Sequence, residues 1–329
     1  MMEKFNALQI SKTDDGQNVG IVELGLDDLM DGDVTIRVSH STVNYKDALA
    51  ITGKGRIVRS WPMIPGADFV GIVESSSHAK YKTGDAVLLN GWGVGEGHFG
   101  GHSQMARVNG DWLIPLPTGL SPAQAMAIGT AGYTSMLCVL ELEERGITPD
   151  SGDIVVTGAA GGVGSVAVAI LAKLGYRVIA STGRASEADY LKNLGAAEII
   201  DRNELSEPAR ALAKPRWAGG IDCVGSHTLA NVIAMTSPRG TVIACGLAQG
   251  MDLPSSVAPF ILRAVALIGV DSVTETYERR VQAYERLVTD LDASKIEALA
   301  STIKLDAVEK AAHDLMDGKV RGRIVVELD

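Results

Sequence analysis

The chain has 329 residues, 46% of them hydrophobic, which is enough to bury one large or two ordinary cores. Lys and Arg number 30 against 40 Asp and Glu, and the resulting charge of −10 repels nucleic acid and anionic membranes. The cysteines, Cys138, Cys223 and Cys245, are odd in number and lack C-x-x-C spacing, which argues against a disulfide framework or a cysteine-rich zinc lobe and suits a reducing, cytoplasmic setting.

Residues 1–10 lack the apolar centre of a signal peptide, and no run of about 18 apolar residues follows, so neither export nor a membrane span is expected. Residues 4–117 interleave Gly and Pro with short β-rich runs at 34–38, 70–73 and 86–89, the texture of a β-rich domain with functional loops. Past Ser121, Ala-rich helical stretches alternate with short apolar strands, as in a parallel sheet wrapped by helices. A strand at 154–157, a helix at 164–174 stopped by Gly175, and a strand at 177–181 complete one βαβ unit. Ser186 and Asp189 have the spacing of a capping box for a second helix, and further strands are expected at 198–200, 221–224, 241–245 and 264–270. A charged amphipathic helix at 275–291, a helix at 308–316 and a strand at 323–328 end the chain and are expected to rejoin the first domain. The expected division is therefore 1–124 with 269–329 against 125–268.

Between the first strand and helix of the βαβ unit lies Thr157-Gly158-Ala159-Ala160-Gly161-Gly162-Val163-Gly164. Gly161 lets the backbone approach a pyrophosphate, Gly164 lets helix and strand pack closely, and the helix N-terminus supplies amide donors. Ala159 stands where the G-x-G-x-x-G pattern has its first glycine. At the end of the second strand an NAD site places an acid for the ribose hydroxyls, whereas this chain reads Ser181-Thr182-Gly183-Arg184. Hydroxyls from Ser181 and Thr182 and the Arg184 guanidinium suit the 2′-phosphate of NADPH. The competing reading makes Arg184 a solvated loop residue.

Gly-Ala-Ala-Gly-Gly-Val-Gly at 158–164 resembles the cofactor turn of zinc-independent quinone reductases in the medium-chain dehydrogenase/reductase superfamily. Asn44-Tyr45-Lys46-Asp47, Pro65-Gly66-Ala67-Asp68-Phe69-Val70-Gly71, Gly84-Asp85-Ala86-Val87 and Ile128-Gly129-Thr130-Ala131-Gly132-Tyr133-Thr134 fall in the family's order. Longer stretches resemble its acryloyl-CoA reductase subgroup: residues 44–55, Gly91-Trp92-Gly93-Val94-Gly95-Glu96, Pro259-Phe260-Ile261-Leu262-Arg263 and Gly269-Val270-Asp271-Ser272-Val273. That resemblance implies an α/β chain, a Rossmann doubly wound parallel sheet domain plus a β-rich GroES-like catalytic domain. It implies reduction of acryloyl-CoA, or a related small enoyl-CoA, to propanoyl-CoA with NADPH. Cofactor contacts carried over from the family fall on Tyr45, Ala160, Gly161, Gly162, Val163, Thr182, Gly183, Arg184, Arg202, Leu247, Ile261 and Ser272, to which the turn itself adds Gly164 and the end of the second strand adds Ser181. For Arg202, in Asp201-Arg202-Asn203-Glu204, a solvated loop residue is the alternative.

Zinc members of the superfamily need Cys and His ligands. Here Asn44 to Asp47 replaces the first catalytic cysteine, and Gly66-Ala67-Asp68 replaces Gly-His-Glu. Metal-free chemistry favours a conjugated thioester, electrophilic at its β-carbon, over an alcohol or simple ketone. Tyr45 is the candidate catalytic side chain, as donor to the enolate or as proton source, with a packing role as the alternative. Lys54, Arg56 and Arg59 are candidates for the phosphates of coenzyme A, with a solvated basic loop as the alternative. A homodimer through the Rossmann edge strand, residues 265–270, is expected, with no nucleic-acid or membrane partner. Two other readings stay open: an NADPH quinone reductase of the same fold, and a non-catalytic NADPH-binding protein.

Overall fold

Ile154, Val155 and Val156 expose no surface, as expected of a strand covered on both faces of a parallel sheet. The computed structural model describes residues 4–208 and 210–328. They divide into two compact units: residues up to Thr130 with Ser272–Val288 and the chain from Ile296 onward, and Ala131–Asp271 with Thr289–Lys295.

The first unit opens with an antiparallel hairpin, β1 (Lys4–Thr13) and β2 (Gly16–Gly25). β3 (Val34–Thr42) leads through α1 (Tyr45–Thr52) to β4 (Asp68–Ser76), β5 (Ala86–Asn90), β6 (Met105–Val108) and β7 (Ile114–Pro115). Helix α2 (Pro122–Glu144) then carries the chain into the second unit.

There the elements alternate: β8 (Ile154–Val156), α3 (Gly162–Lys173), β9 (Val178–Thr182), α4 (Ala188–Leu194), β10 (Glu198–Asp201), β11 (Trp217–Asp222), α5 (Ser226–Ala234), β12 (Thr236–Ala244), α6 (Ala258–Arg263) and β13 (Ala266–Gly269). Every pairing is parallel, in the spatial order β10-β9-β8-β11-β12-β13. This is the doubly wound order, whose reversal between β8 and β11 opens a crevice at the carboxyl ends of the strands. α7 (Tyr277–Asp290), α8 (Ala293–Leu299), β14 (Ala300–Lys304), α9 (Val308–Met316) and β15 (Arg323–Glu327) complete the chain. β14 and β15 join a seven-stranded sheet ordered β14-β15-β3-β4-β5-β7, with β6 also pairing β3.

Three expectations are corrected. β11 runs from Trp217 to Asp222 and not from 221 to 224, because Gly219 and Gly220 pack inside the sheet; a Cβ on Gly219 would lie 2.7 Å from the Thr241 carbonyl oxygen. β12 begins at Thr236, before a Pro-Arg-Gly interruption in which Arg239 takes φ 64°. Ser186 does not cap α4: it lies inside a 3-10 turn, Ala185–Glu187, and the helix starts at Ala188 with no side-chain cap bond. α2 is long and apolar enough to cross a membrane by length and composition alone, but most of its apolar stretch is buried inside the protein, as in the core helix of a globular domain.

Candidate functional site

In the second unit the loop after each of the first three strands in chain order contributes to one surface. β8 runs into the turn at 157–161, where Gly158 takes φ +58°, and α3 begins at Gly162 with Gly161 as its N-cap. Gly164 has no room for a side chain, since a Cβ would come 2.4 Å from the Gly158 carbonyl oxygen and 2.7 Å from the Ala159 Cα. That contact seats the helix against the turn and leaves Gly161 exposed, beside the first backbone amides of α3. Ala160 is buried, while Gly162 and Val163 are partly exposed on the same rim.

The end of β9 is tied to this turn: the Ala159 amide donates to the Ser181 carbonyl at 3.1 Å, and Arg184 Nη2 reaches the Ala160 carbonyl at 3.3 Å. The Ser181 hydroxyl is buried and has no hydrogen-bond partner among the described residues, and Thr182 Oγ1 accepts from the Arg184 amide at 3.2 Å. Arg202, just after β10, lies across Gly183: a Cβ there would meet Arg202 Nε at 2.3 Å. One guanidinium thus lies over Gly183 and the other reaches from the next residue to the turn after β8, and Arg202 makes no ion pair among the described residues. A Gly-lined helix N-terminus, an orphaned buried hydroxyl and two arginines in place of an acid fit a dinucleotide carrying a 2′-phosphate.

Asp222 ends β11 and is fully buried. Its carboxylate accepts from Thr157 Oγ1 at 2.7 Å and from the Gly225 and Val224 amides at 2.7 and 3.2 Å. Burial pushes its pKa up to about 6 against those donors. Sequence reading missed this bond between the cofactor turn and the next strand; the signal was an acid ending an apolar strand beside the turn. Leu247 stands after β12 with its Cα 3.3 Å from where a Gly225 Cβ would be, and Ile261 lies on α6; both are well exposed.

Tyr45 and Ser272 belong to the first unit. Tyr45 is the first residue of α1 and is half-exposed, whereas its neighbours are locked. The Asn44 amide donates to Asp47 Oδ2 at 2.8 Å, closing a capping box, and Asp47 Oδ1 accepts from the Gly66 and Ala67 amides at 3.2 and 2.9 Å. Burial raises the Asp47 pKa to about 7 despite these donors. Asn44 Nδ2 donates to Asp68 Oδ2 at 2.9 Å, and Asp68 also accepts from the Thr130 amide at 2.6 Å and from the Thr130 hydroxyl. Arg323, at the start of β15, donates to Asn44 Oδ1, Thr42 Oγ1 and the Ala127 carbonyl at 3.1, 3.0 and 3.2 Å. Gly129 makes this possible: it breaks the helical path of α2 at φ 48°, where a Cβ would sit 2.5 Å from Arg323 Nη2. Sequence reading placed Arg323 in a strand and missed its role; a charged residue opening the apolar run Ile324-Val325-Val326 was the available signal. The Ser272 carbonyl accepts from Arg280 Nη2 at 3.3 Å.

The three basic candidates for coenzyme A are unequal. Arg59 Nη2 pairs with Glu96 at 3.2 Å, a carboxylate it shares with Lys46, and Lys54 lies 4.0 Å from Asp317. Arg56 is exposed and makes no ion pair among the described residues.

Two family models match: an alcohol dehydrogenase GroES-like domain over residues 30–118 and a zinc-binding dehydrogenase domain over 162–289. Acrylyl-CoA reductase AcuI of Ruegeria pomeroyi is 49% identical, over 99% of this chain and 99% of that protein. The chain belongs to the zinc-free acryloyl-CoA reductase family of medium-chain dehydrogenases/reductases. A putative quinone oxidoreductase of Bacillus subtilis, YhfP, is 41% identical over the full length of both chains. The YhdH oxidoreductase of Salmonella enterica, solved in complex with NADP, superposes with a TM-score of 0.97 at 51% identity, covering 98% of this chain and all of that one.

The zinc in the second model's description does not fit this member. Positions 44 and 67 are Asn and Ala, Asp68 is engaged by Asn44 and Thr130, and Asp47 is held by three backbone amides. His102 is buried with Nδ1 on Ser41 Oγ at 3.0 Å and is kept neutral by burial, which lowers its pKa to about 3. Among the described residues no group of three or more His, Cys, Asp or Glu side chains converges as metal ligands. In this family member a hydrogen-bonded acid–amide–arginine brace occupies the positions of the ligands.

Proposed function

We propose that the chain reduces the α,β double bond of acryloyl-CoA to propanoyl-CoA with NADPH and without a metal. The observation that carries this reading is the arginine-lined end of β9 beside a glycine-formed helix N-terminus, in a chain half identical throughout to an acrylyl-CoA reductase. Bound NADPH supplies a hydride from nicotinamide C4 to the electrophilic β-carbon. Ala160 to Gly164 hold the pyrophosphate, with Ser181, Thr182, Gly183, Arg184 and Arg202 on the 2′-phosphate and Leu247, Ile261, Ser272 and Tyr45 as further cofactor contacts. Tyr45 donates to the thioester oxygen as negative charge builds there, or protonates the α-carbon. What supports that role is a half-exposed phenol on a helix start braced from beneath by Asn44, Asp47, Asp68 and Arg323. Arg56, with Lys54 and Arg59 as weaker partners, meets the phosphates of coenzyme A.

β13, at the edge of the sheet among the described residues, and the exposed Val257 and Leu262 support a homodimer through that edge, and the cysteine usage supports a cytoplasmic setting. Following NADPH absorbance with acryloyl-CoA, crotonyl-CoA, a small quinone and NADH tests the activity. Turnover confined to the quinone moves the chain to the second reading, which the resemblance to YhfP favours.

A further inference from the structure

At the carboxyl ends of β11 and β12 the fold gathers all three cysteines, 138, 223 and 245, from distant parts of the sequence. Asp222 and Ala244 are register partners, so Cys223 and Cys245 are the next pair along the parallel ladder. Neighbouring strands lie about 4.8 Å apart, inside the Cα separation of about 4.4–6.8 Å that a disulfide spans. The two sulfurs are already 3.8 Å apart, and both residues are partly exposed, while Cys138 on α2 is buried. Hydrogen bonding within the cluster holds the Cys245 thiol below its ordinary range, and Cys245 Sγ also donates to the Asp222 carbonyl at 3.4 Å. Burial, then donation to Cys245, raises Cys138; donation, then burial, raises Cys223. Two partly exposed sulfurs 3.8 Å apart, on register-paired strand ends, are placed to act as nucleophile and resolving group.

Their location gives the pair a consequence. The Cys223 amide donates to Thr157 Oγ1 at 3.0 Å, and the Cys223 Cβ lies 3.5 Å from where a Cβ on Gly158 would stand. On its other side a Cβ on Gly246 would meet the Cys223 carbonyl oxygen at 2.4 Å. Cys223 is thus wedged between the nucleotide turn and the loop after β12, in the crevice where a doubly wound sheet takes its dinucleotide.

We propose that Cys223 and Cys245 are an oxidisable dithiol that couples NADP(H) binding to the redox state of the surroundings. This rests on the reading that the second unit binds NADP(H). The oxidant is a low-molecular-weight disulfide such as oxidised glutathione. The Cys245 thiolate attacks one glutathione sulfur, forming a mixed disulfide and expelling one glutathione thiolate. The Cys223 thiolate then displaces the second. Two electrons pass from the cysteine pair to the glutathione disulfide, and the two cysteine protons end on the two released glutathiones. Closing the sulfur gap to about 2.05 Å rotates both side chains and drags Cys223 away from Thr157 and Gly158, so the turn loses its shape. A cofactor seated in the crevice shields the same thiols.

The test treats the reduced, full-length protein with oxidised glutathione, with and without saturating NADP+, and reads intact mass, free thiols and the Kd for NADPH. Without NADP+, two of the three thiols disappear with no glutathione retained, and the Kd rises at least tenfold and recovers with dithiothreitol. Saturating NADP+ slows the oxidation at least tenfold. Cys223→Ser stops at a glutathione adduct on residue 245, and Cys245→Ser reacts at least tenfold more slowly than the wild type. Retained glutathione on the wild type, an intramolecular disulfide that leaves the Kd unchanged, or oxidation indifferent to NADP+ overturns the proposal. A reduced protein that fails to bind NADPH overturns the cofactor reading along with it.

Discussion

Arg323 and Asp68 are both buried, with a guanidinium nitrogen 4.0 Å from a carboxylate oxygen, and Asn44 joins them by donating to Asp68 at 2.9 Å and accepting from Arg323 at 3.1 Å. Two residues far apart in sequence, Asp68 and Arg323, thereby fix Asn44, the residue that precedes Tyr45. Burial disfavours the charge of Arg323, and Asp68 opposes that shift. Arg323→Met should therefore cost about 3–5 kcal/mol, because it leaves Asp68 buried without its counter-charge. Chemical denaturation measures it; a loss under about 1 kcal/mol would show that Asn44 and Thr130 satisfy Asp68 unaided.

Arg184→Ala and Arg202→Ala should each raise the KM for NADPH about 10- to 100-fold, the worth of a charge-assisted hydrogen bond. The KM for NADH should stay within about twofold, since NADH has no 2′-phosphate to lose. Parallel losses with both cofactors would mean that the arginines shape the turn and do not read the phosphate.

Tyr45→Phe should lower kcat about 100-fold with little change in KM if the hydroxyl acts in the transition state. An unchanged kcat reduces Tyr45 to a wall of the pocket.

The pH dependence of stability follows from Asp222. Its pKa is raised from 3.8 to about 6, so between those values the unfolded chain loses the proton while the folded one keeps it. Stability contributed by this group is full below pH 3.8, falls as pH rises, and is lost above about pH 6, by about 3 kcal/mol in total. Asp222→Asn should flatten that part of the profile; an identical slope in the variant would place its origin elsewhere, Asp47 being the other buried acid with a raised pKa.

Strong local signals made much of this legible. Ile-Val-Val before a Gly-rich turn, and Ser-Thr-Gly-Arg where an acid would stand, gave the nucleotide unit and the cofactor from neighbours in sequence. β11 was misjudged because Gly219 and Gly220 carry no side chain to mark a strand, and their reason for being glycine is the Thr241 carbonyl and Val155 side chain across the sheet. The brace of Asn44, Asp68 and Arg323 spans 279 residues and has no periodicity to betray it. Arg202 against Gly183 and Cys223 against Cys245 are likewise products of parallel pairing, visible only once the strand order is known. The basic cluster after Tyr45 looked uniform in sequence, but Glu96 and Asp317 arrive from elsewhere to pair Arg59 and Lys54, whereas Arg56 is exposed and makes no ion pair among the described residues.

The measurement that bears most directly on the central claim is turnover of acryloyl-CoA with NADPH carrying deuterium in the transferred C4 position, with the product analysed by NMR. The account predicts propanoyl-CoA with one deuterium on C3, the former β-carbon, and a solvent-derived proton on C2. Deuterium on C2, or consumption of labelled NADPH without labelled propanoyl-CoA, would contradict it.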